Sequence, residues 1–194
     1  MRNLLFLSAA AAAIALPAAA QAQAVPAATI AVVDLDKVTT DCNACKTANA
    51  ALQSQVAAFR ARQQALATPL ETEGKALQTA VAALNGKQPD AALQARITAF
   101  ENKRNQGAQE LGRQEQQIQR NQAYIQQQIA AKLGPIYQQV MQRRGANLML
   151  EIGTTLASAS RLDVTADVTA ALNAALPSVA TTAPAQQQRQ PQGR

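Results

Sequence analysis

From Ala51 onward, large apolar side chains recur in steps of three and four residues on a background of Ala, Gln and Arg. Leu52, Val56, Phe59, Leu66, Leu70 and Leu77 form the first series, which runs on to Leu84. Gln63, Glu73 and Ala80 stand where the spacing asks for another large apolar residue. The pattern is the heptad seam of a long amphipathic helix, with interruptions. Unbroken helix from Cys42 to Leu84 would be about 65 Å long. Asn85-Gly86-Lys87-Gln88-Pro89-Asp90 then breaks the period. Asn-Gly adopts positive φ at low cost, and Pro-Asp suits entry to a new helix. A second series returns through Leu93, Ile97, Phe100, Leu111, Ile118 and Ile125, then Ile129, Leu133, Ile136 and Val140. Its gaps are Arg104, Gly107, Gln114 and Asn121. Two arms of similar length joined by one tight turn predict an antiparallel helical hairpin over 42–144, with its tip near 85–90. The gaps predict a loosely packed arm, and Pro69, Gly74 and Gly134-Pro135 predict places where it bends.

The flanking segments change period. Thr29 to Asp34 is short, β-branched and apolar on both faces, which predicts a strand buried on both sides. Asn147 to Ile152 is a second strand candidate, and Leu156 to Ser160 a third. Asp163 or Thr165 can cap a final helix carrying Val168, Leu172 and Leu176 on one face, which Pro177 ends. The expected fold class is therefore α+β. A small β-rich body comes from 25–41 and 145–176, the hairpin arm from 42–144, and a disordered Pro/Gln-rich tail from 177–194. The body is too small for an assured monomeric core, so pooling bodies in an oligomer would repair it.

The first residues are of a different kind. Met1-Arg2-Asn3 is a positive start, Leu4 to Leu16 an apolar run with one Ser, and small residues follow Pro17. This is the layout of a secretory signal peptide over 1–24, cleaved between Ala24 and Val25, with Ala20-Gln21-Ala22 as a competing site. The run is too short to span a bilayer. Export bears on Cys42-Asn43-Ala44-Cys45. A C-x-x-C pair in an oxidising compartment, with no βαβ unit around it, reads first as a local disulfide or two small apolar side chains at a helix start. A redox role is the alternative. A metal site would need further Cys or His ligands, and the chain has none.

Composition narrows the function further. There is no His and no Trp, with two Tyr and three Phe. The commonest general base and metal ligand is thus missing. Neither a Ser/His/Asp set nor a phosphate-binding loop is present, so no residue is a catalytic candidate and no cofactor is expected. The segment 46–144 carries a net charge of +7, more than the +5 of the chain after export, and the remainder is net acidic. An acidic or anionic partner fits that field. Nucleic acid is not expected, because export and the lack of aromatic stacking platforms oppose it.

Three segments together resemble the Skp/OmpH family of periplasmic chaperones. They are Thr29 to Asp34, the charged Gln-rich hairpin, and Ala146-Asn147-Leu148-Met149-Leu150-Glu151 with Leu162-Asp163-Val164-Thr165-Ala166-Asp167-Val168. The last is similar to the family's Asp-(Ile/Val)-Thr-Ala-Asp-Val element, and the likeness covers nearly all of 29–176. The resemblance implies a homotrimer whose strands form a central body, with three helical arms around a cavity. It implies an ATP-independent periplasmic holdase for unfolded outer-membrane proteins. The seam residues Leu52, Val56, Phe59, Leu66, Leu70, Leu77, Ile97, Phe100, Leu111, Ile118 and Ile125 are the candidates for client contact or arm packing. The resemblance also raises lipopolysaccharide or an anionic membrane surface as a partner of Lys103 and Arg104, without a specific motif. The C-x-x-C pair and the Pro/Gln tail depart from the family pattern. Two other readings share the features: an envelope coiled-coil adaptor, which wants an uninterrupted seam, and a thiol oxidoreductase using Cys42 and Cys45.

Overall fold

The structure is a computed structural model and describes residues 26–185. The segment read as a signal peptide, with its Ala24–Val25 bond, lies outside the described residues, as does 186–194. In chain order the elements are β1 (Ile30–Val33), α1 (Leu35–Asp41), α2 (Asn43–Ala83), α3 (Ala91–Arg144), β2 (Leu148–Glu151) and α4 (Thr165–Ala175). The fold is mostly helical with one small sheet.

β1 is the centre of the base. It pairs in parallel with β2, in the register Ile30 with Leu148 to Val33 with Glu151. On its other side Val32 bridges to Asp163, and the Val164 amide donates to the Val32 carbonyl at 2.8 Å. Ala31, Val32 and Val33 are consequently buried, as a strand apolar on both faces requires. Asn147 ties the strands at their start. Its side chain accepts from the Thr29 amide at 2.7 Å and donates to the Ala27 carbonyl at 2.8 Å.

The strand candidate Leu156 to Ser160 is not a strand. The chain turns through one 3₁₀ turn at Ile152–Thr154 and another at Ser160–Leu162, leaving Leu156 fully exposed between them. Among the described residues, the segment returns to the sheet at the bridge of Asp163 with Val32. The body is therefore not β-rich. Among the described residues it has two strands of four residues each, and Asp34 stops β1 by capping α1 (it accepts from the Lys37 amide at 2.8 Å).

The two long helices are continuous. Their turn uses positive φ at Asn85 (48°) and Gly86 (85°), and Asp90 caps α3 by accepting from the Leu93 amide at 2.8 Å. Gly145 ends α3 at φ 65°, with Arg143 and Arg144 in the last turn, where cations favour the helix dipole. Neither Pro69 nor Pro135 ends its helix. Each proline is exposed, and the carbonyl it leaves without a donor belongs to an exposed Ala65 or Ala131, where water can satisfy it.

The core sits at the base. Ile125, Ile129, Leu133, Ile136 and Val140 make one face of α3, and pack with Ala44, Cys45 and Ala48 of α2. Val164, Val168, Leu172 and Leu176 close the cluster from α4 and its flanks, with Val38 of α1 beneath. Truncating Leu172 should therefore cost far more than truncating a surface leucine. Leu172→Ala is expected to lower the unfolding free energy in urea by about 2–5 kcal/mol. Leu156→Ala is expected to change it by less than about 0.5 kcal/mol.

Candidate functional site

Side chains of the hairpin seam meet across the two helices. Arg62 pairs with Glu110, Leu66 lies over Gly107, and Phe100 lies over Gly74. Nearer the base, Gln55 pairs with Asn121. As the α2 number rises its α3 partner's falls, so the arms run antiparallel. Each of the eleven candidate positions is half-buried or buried, Leu77 and Ile125 most deeply. Leu52 packs on the base core, and Val56, Phe59 and Ile118 border one recess between the helices. Leu70 and Phe100 border another nearer the tip. The seam side chains thus hold the arm together, and the arm's outward face is its Gln, Ala, Lys and Arg.

Three interruptions of the seam, Glu73, Gly107 and Asn121, and the expected bend at Gly74 have partners on the opposite helix. A Cβ on Gly74 would sit 3.5 Å from the Phe100 ring, and one on Gly107 would sit 3.5 Å from Leu66 Cδ1. These glycines make room for a large side chain on the opposite helix. Glu73 accepts from Arg96 at 2.9 Å. Glu110 receives a two-pronged bond from Arg62, Nε to Oε1 at 2.7 Å and Nη2 to Oε2 at 2.8 Å. That bond holds the Glu110 carboxyl below its ordinary pKa and raises Arg62. Asn121 is only 3 % exposed and donates to Gln55 Oε1 at 2.7 Å. The expectation of loose packing is corrected at Glu73, Gly107 and Asn121. Gly74, Gly107, Glu73 and Asn121 are matched positions, and the match depends on the register between helices.

The segment read as a disordered tail is also corrected over its described part. Residues 179–183 lie along the hairpin, with Val179 packed on the base core and Ala183 bonded to Asn121. Gln55, Gln117 and Gln128 take part in this contact. No sequence signal separates these three from the other glutamines of the helices.

At the base, Cys42 and Cys45 form a disulfide with Cα atoms 5.0 Å apart. Cys42 closes α1 and caps α2, its sulfur accepting from the Cys45 amide at 3.0 Å, and both residues are fully buried. The bridge staples the corner where the chain enters the arm. Thr165 forms a second corner. Its hydroxyl accepts from the Asp34 amide at 2.9 Å, and its own amide donates to Asp163 Oδ1 at 2.8 Å. Bonds from the Thr165 hydroxyl and amide hold the Asp163 carboxyl below its usual pKa, with Lys37 adding to the effect. Asp167 pairs with Arg144 Nε at 2.7 Å, joining α4 to the end of α3. Burial, with Glu151 nearby, pushes the Tyr137 hydroxyl up.

The far edge of β2 has no partner among the described residues. Leu148 on it is exposed, and Leu156 stands free beyond it. An unpaired, partly apolar strand edge invites another strand. Among the described residues, no group of three or more His, Cys, Asp or Glu could hold a metal ion.

With that geometry in place, the family model described as outer membrane protein (OmpH-like) matches residues 29–172. A crystal structure from Caulobacter crescentus CB15, described as a candidate outer membrane chaperone (OmpH-like), aligns with a TM-score of 0.66. The alignment covers 84% of this chain and 96% of that one at 18% identity, a likeness of fold. No curated protein matches the chain in sequence.

Two outcomes follow from the corners. Asp163 has a depressed folded pKa, so its contribution is fully present above the unfolded value of about 3.9 and is lost as pH falls through the lower folded value. Asp163→Asn should lower stability at pH 7 and flatten the loss of stability below about pH 4, as read by urea titrations across pH. Replacing Cys42 and Cys45 together by Ala opens a very short loop, so stability should fall by about 2 kcal/mol, with the helical circular dichroism kept. Collapse of the helical signal would show that the bridge does more than staple the corner.

Proposed function

The chain belongs to the OmpH-like family, and on that premise we propose that it is an ATP-independent holdase of the periplasm. It would be exported by a signal peptide ending at Ala24 and would keep unfolded outer-membrane proteins from aggregating before insertion. One observation carries the reading: a long, thin, net positive arm, its seam side chains packed between its own two helices, rises from a base whose strand edge is unpaired among the described residues and partly apolar. Bases pooled through that edge would make a homotrimer, and three arms would enclose a cavity. Such a cavity offers many weak contacts instead of one pocket. That suits clients of varied sequence, whose apolar segments and strand edges aggregate when exposed. A positive field would speed capture of acidic chains. It would also suit anionic lipid groups, with Lys103 and Arg104 exposed on the arm.

The other readings fit less well. A coiled-coil adaptor needs a continuous strip for a partner helix, and here the seam residues are spent between α2 and α3. A thiol oxidoreductase needs an accessible sulfur, whereas Cys42 and Cys45 are buried.

The test is dilution of a urea-unfolded outer-membrane β-barrel protein into buffer containing the mature chain, followed by light scattering. Suppression is expected at one trimer per client, and none at that ratio would overturn the proposal. Sedimentation equilibrium of the same sample should give three times the protomer mass, and a monomer would remove the cavity.

A further inference from the structure

The described residues after α4 occupy a groove between α2 and α3 in an unusual way. Gln128 reads both backbone groups of one residue: its Oε1 accepts from the Ala180 amide at 3.0 Å, and its Nε2 donates to the Ala180 carbonyl at 2.9 Å. Gln55 Nε2 donates to the Thr181 carbonyl at 3.2 Å. Asn121 Oδ1 accepts from the Ala183 amide at 2.8 Å, and Gln117 Nε2 donates to the Ala183 carbonyl at 3.4 Å. Asn121 is buried and held from behind by Gln55, so its carbonyl is aimed in advance. Every one of the bonds made to 180–183 goes to a main-chain atom. The segment's burial alternates, with Val179, Thr181 and Ala183 half-buried and Ala180 and Thr182 exposed, which is the period of an extended chain.

We propose that this groove is a site for extended, unfolded polypeptide, read through its backbone by side-chain amides, and that 179–183 is its built-in occupant. The proposal deepens the holdase reading and rests on it. A side-chain amide carries both a donor and an acceptor, so one Gln can satisfy the N–H and C=O of any residue except proline. Such recognition is blind to sequence, as strand addition is at a sheet edge. What the groove selects is the alternation: every second side chain faces the helices, and those of the present occupant are small. Beyond Thr182 the groove opens into a recess of about 470 Å³ bordered by Phe59, Ile118 and Arg62. A larger apolar side chain can enter there. Strands of an outer-membrane barrel alternate apolar and polar residues, and so match a groove that covers every second side chain. The chain's own segment would keep the amides satisfied until a client strand exchanges for it.

The test releases the occupant without touching the groove. Ala180→Pro with Ala183→Pro removes the two donors given to Gln128 and Asn121. Two fluorescent peptides are titrated into the full mature chain by anisotropy: one with the sequence of 179–185, one an alternating strand of an outer-membrane barrel with unrelated sequence. Both should bind the released variant about tenfold more tightly than the unaltered chain, as when a site occupied nine-tenths of the time is freed. Adding Gln128→Ala to the released variant should weaken both peptides about tenfold, with helical circular dichroism unchanged. Equal binding to released and unaltered chains would overturn the proposal. Binding of the 179–185 peptide alone would also overturn it, since the groove would then be a dedicated strap site. Aggregation suppression measured in parallel separates the two ideas. A released variant that binds neither peptide yet still holds whole clients removes the groove and leaves the holdase. An unaltered chain that holds no client removes the holdase itself.

Discussion

The arm depends on how its two ends are tied. Pairing β1 with β2 closes a loop that contains the whole hairpin, and for about a hundred residues of flexible chain that closure costs on the order of 4 kcal/mol. Two features reduce the cost. The hairpin closes locally at Asn85 and Gly86, so its ends are already close when the strands meet. The strand pairing is then reinforced from the other side by Val164, whose amide bonds Val32, and by Thr165, whose hydroxyl bonds the Asp34 amide. β1 thus gives backbone groups to both neighbours and buries its side chains. Losing it would part the base core, because Ala31 and Val33 touch the cluster that contains Val140 and Val168.

The element at 162–168 has a physical meaning in this frame. Asp163 turns the chain and fixes the Thr165 amide, Thr165 clamps the end of β1, and Val164 and Val168 enter the core. Asp167 reaches the last turn of α3 through Arg144. One short stretch therefore touches β1, α3 and α4 together.

Much of the fold is legible in the sequence because it rests on local rules. The 3–4 spacing, the Asn-Gly turn, Asp90 before Leu93 and Gly145 after Arg144 each act within a few residues, and each marks an observed boundary. What was not legible depends on pairs far apart in sequence. Gly107 looks like a weak point until Leu66 is known to lie over it, and Asn121 looks like a polar interruption until Gln55 is seen to face it. Proline at 69 and 135 looks disruptive until its turn is found to face solvent. The strand expected at 156–160 does not form: Leu-Ala-Ser-Ala-Ser holds no β-branched or aromatic residue, and the second side of β1 is met instead at Asp163 and Val164.

Glutamine shows the same limit most clearly. Along a helix it is a good helix former with no charge, and a Gln-rich surface is ordinarily read as solvated filler. Across a groove it differs from every charged alternative. Lys offers donors only and a carboxylate offers acceptors only, so either would leave half of a neighbouring backbone unsatisfied. A buried unpaired group costs about 1–3 kcal/mol, which makes Gln and Asn the residues suited to facing a main chain of unspecified sequence. Gln128 meets both backbone groups of Ala180, and Gln55 serves Asn121 and Thr181 at once. Basic charge on the outer surface and neutral amides in the groove therefore divide the work. Under the proposed holdase reading, the first would draw a chain in from a distance, and the second would satisfy it on contact without regard to its side chains.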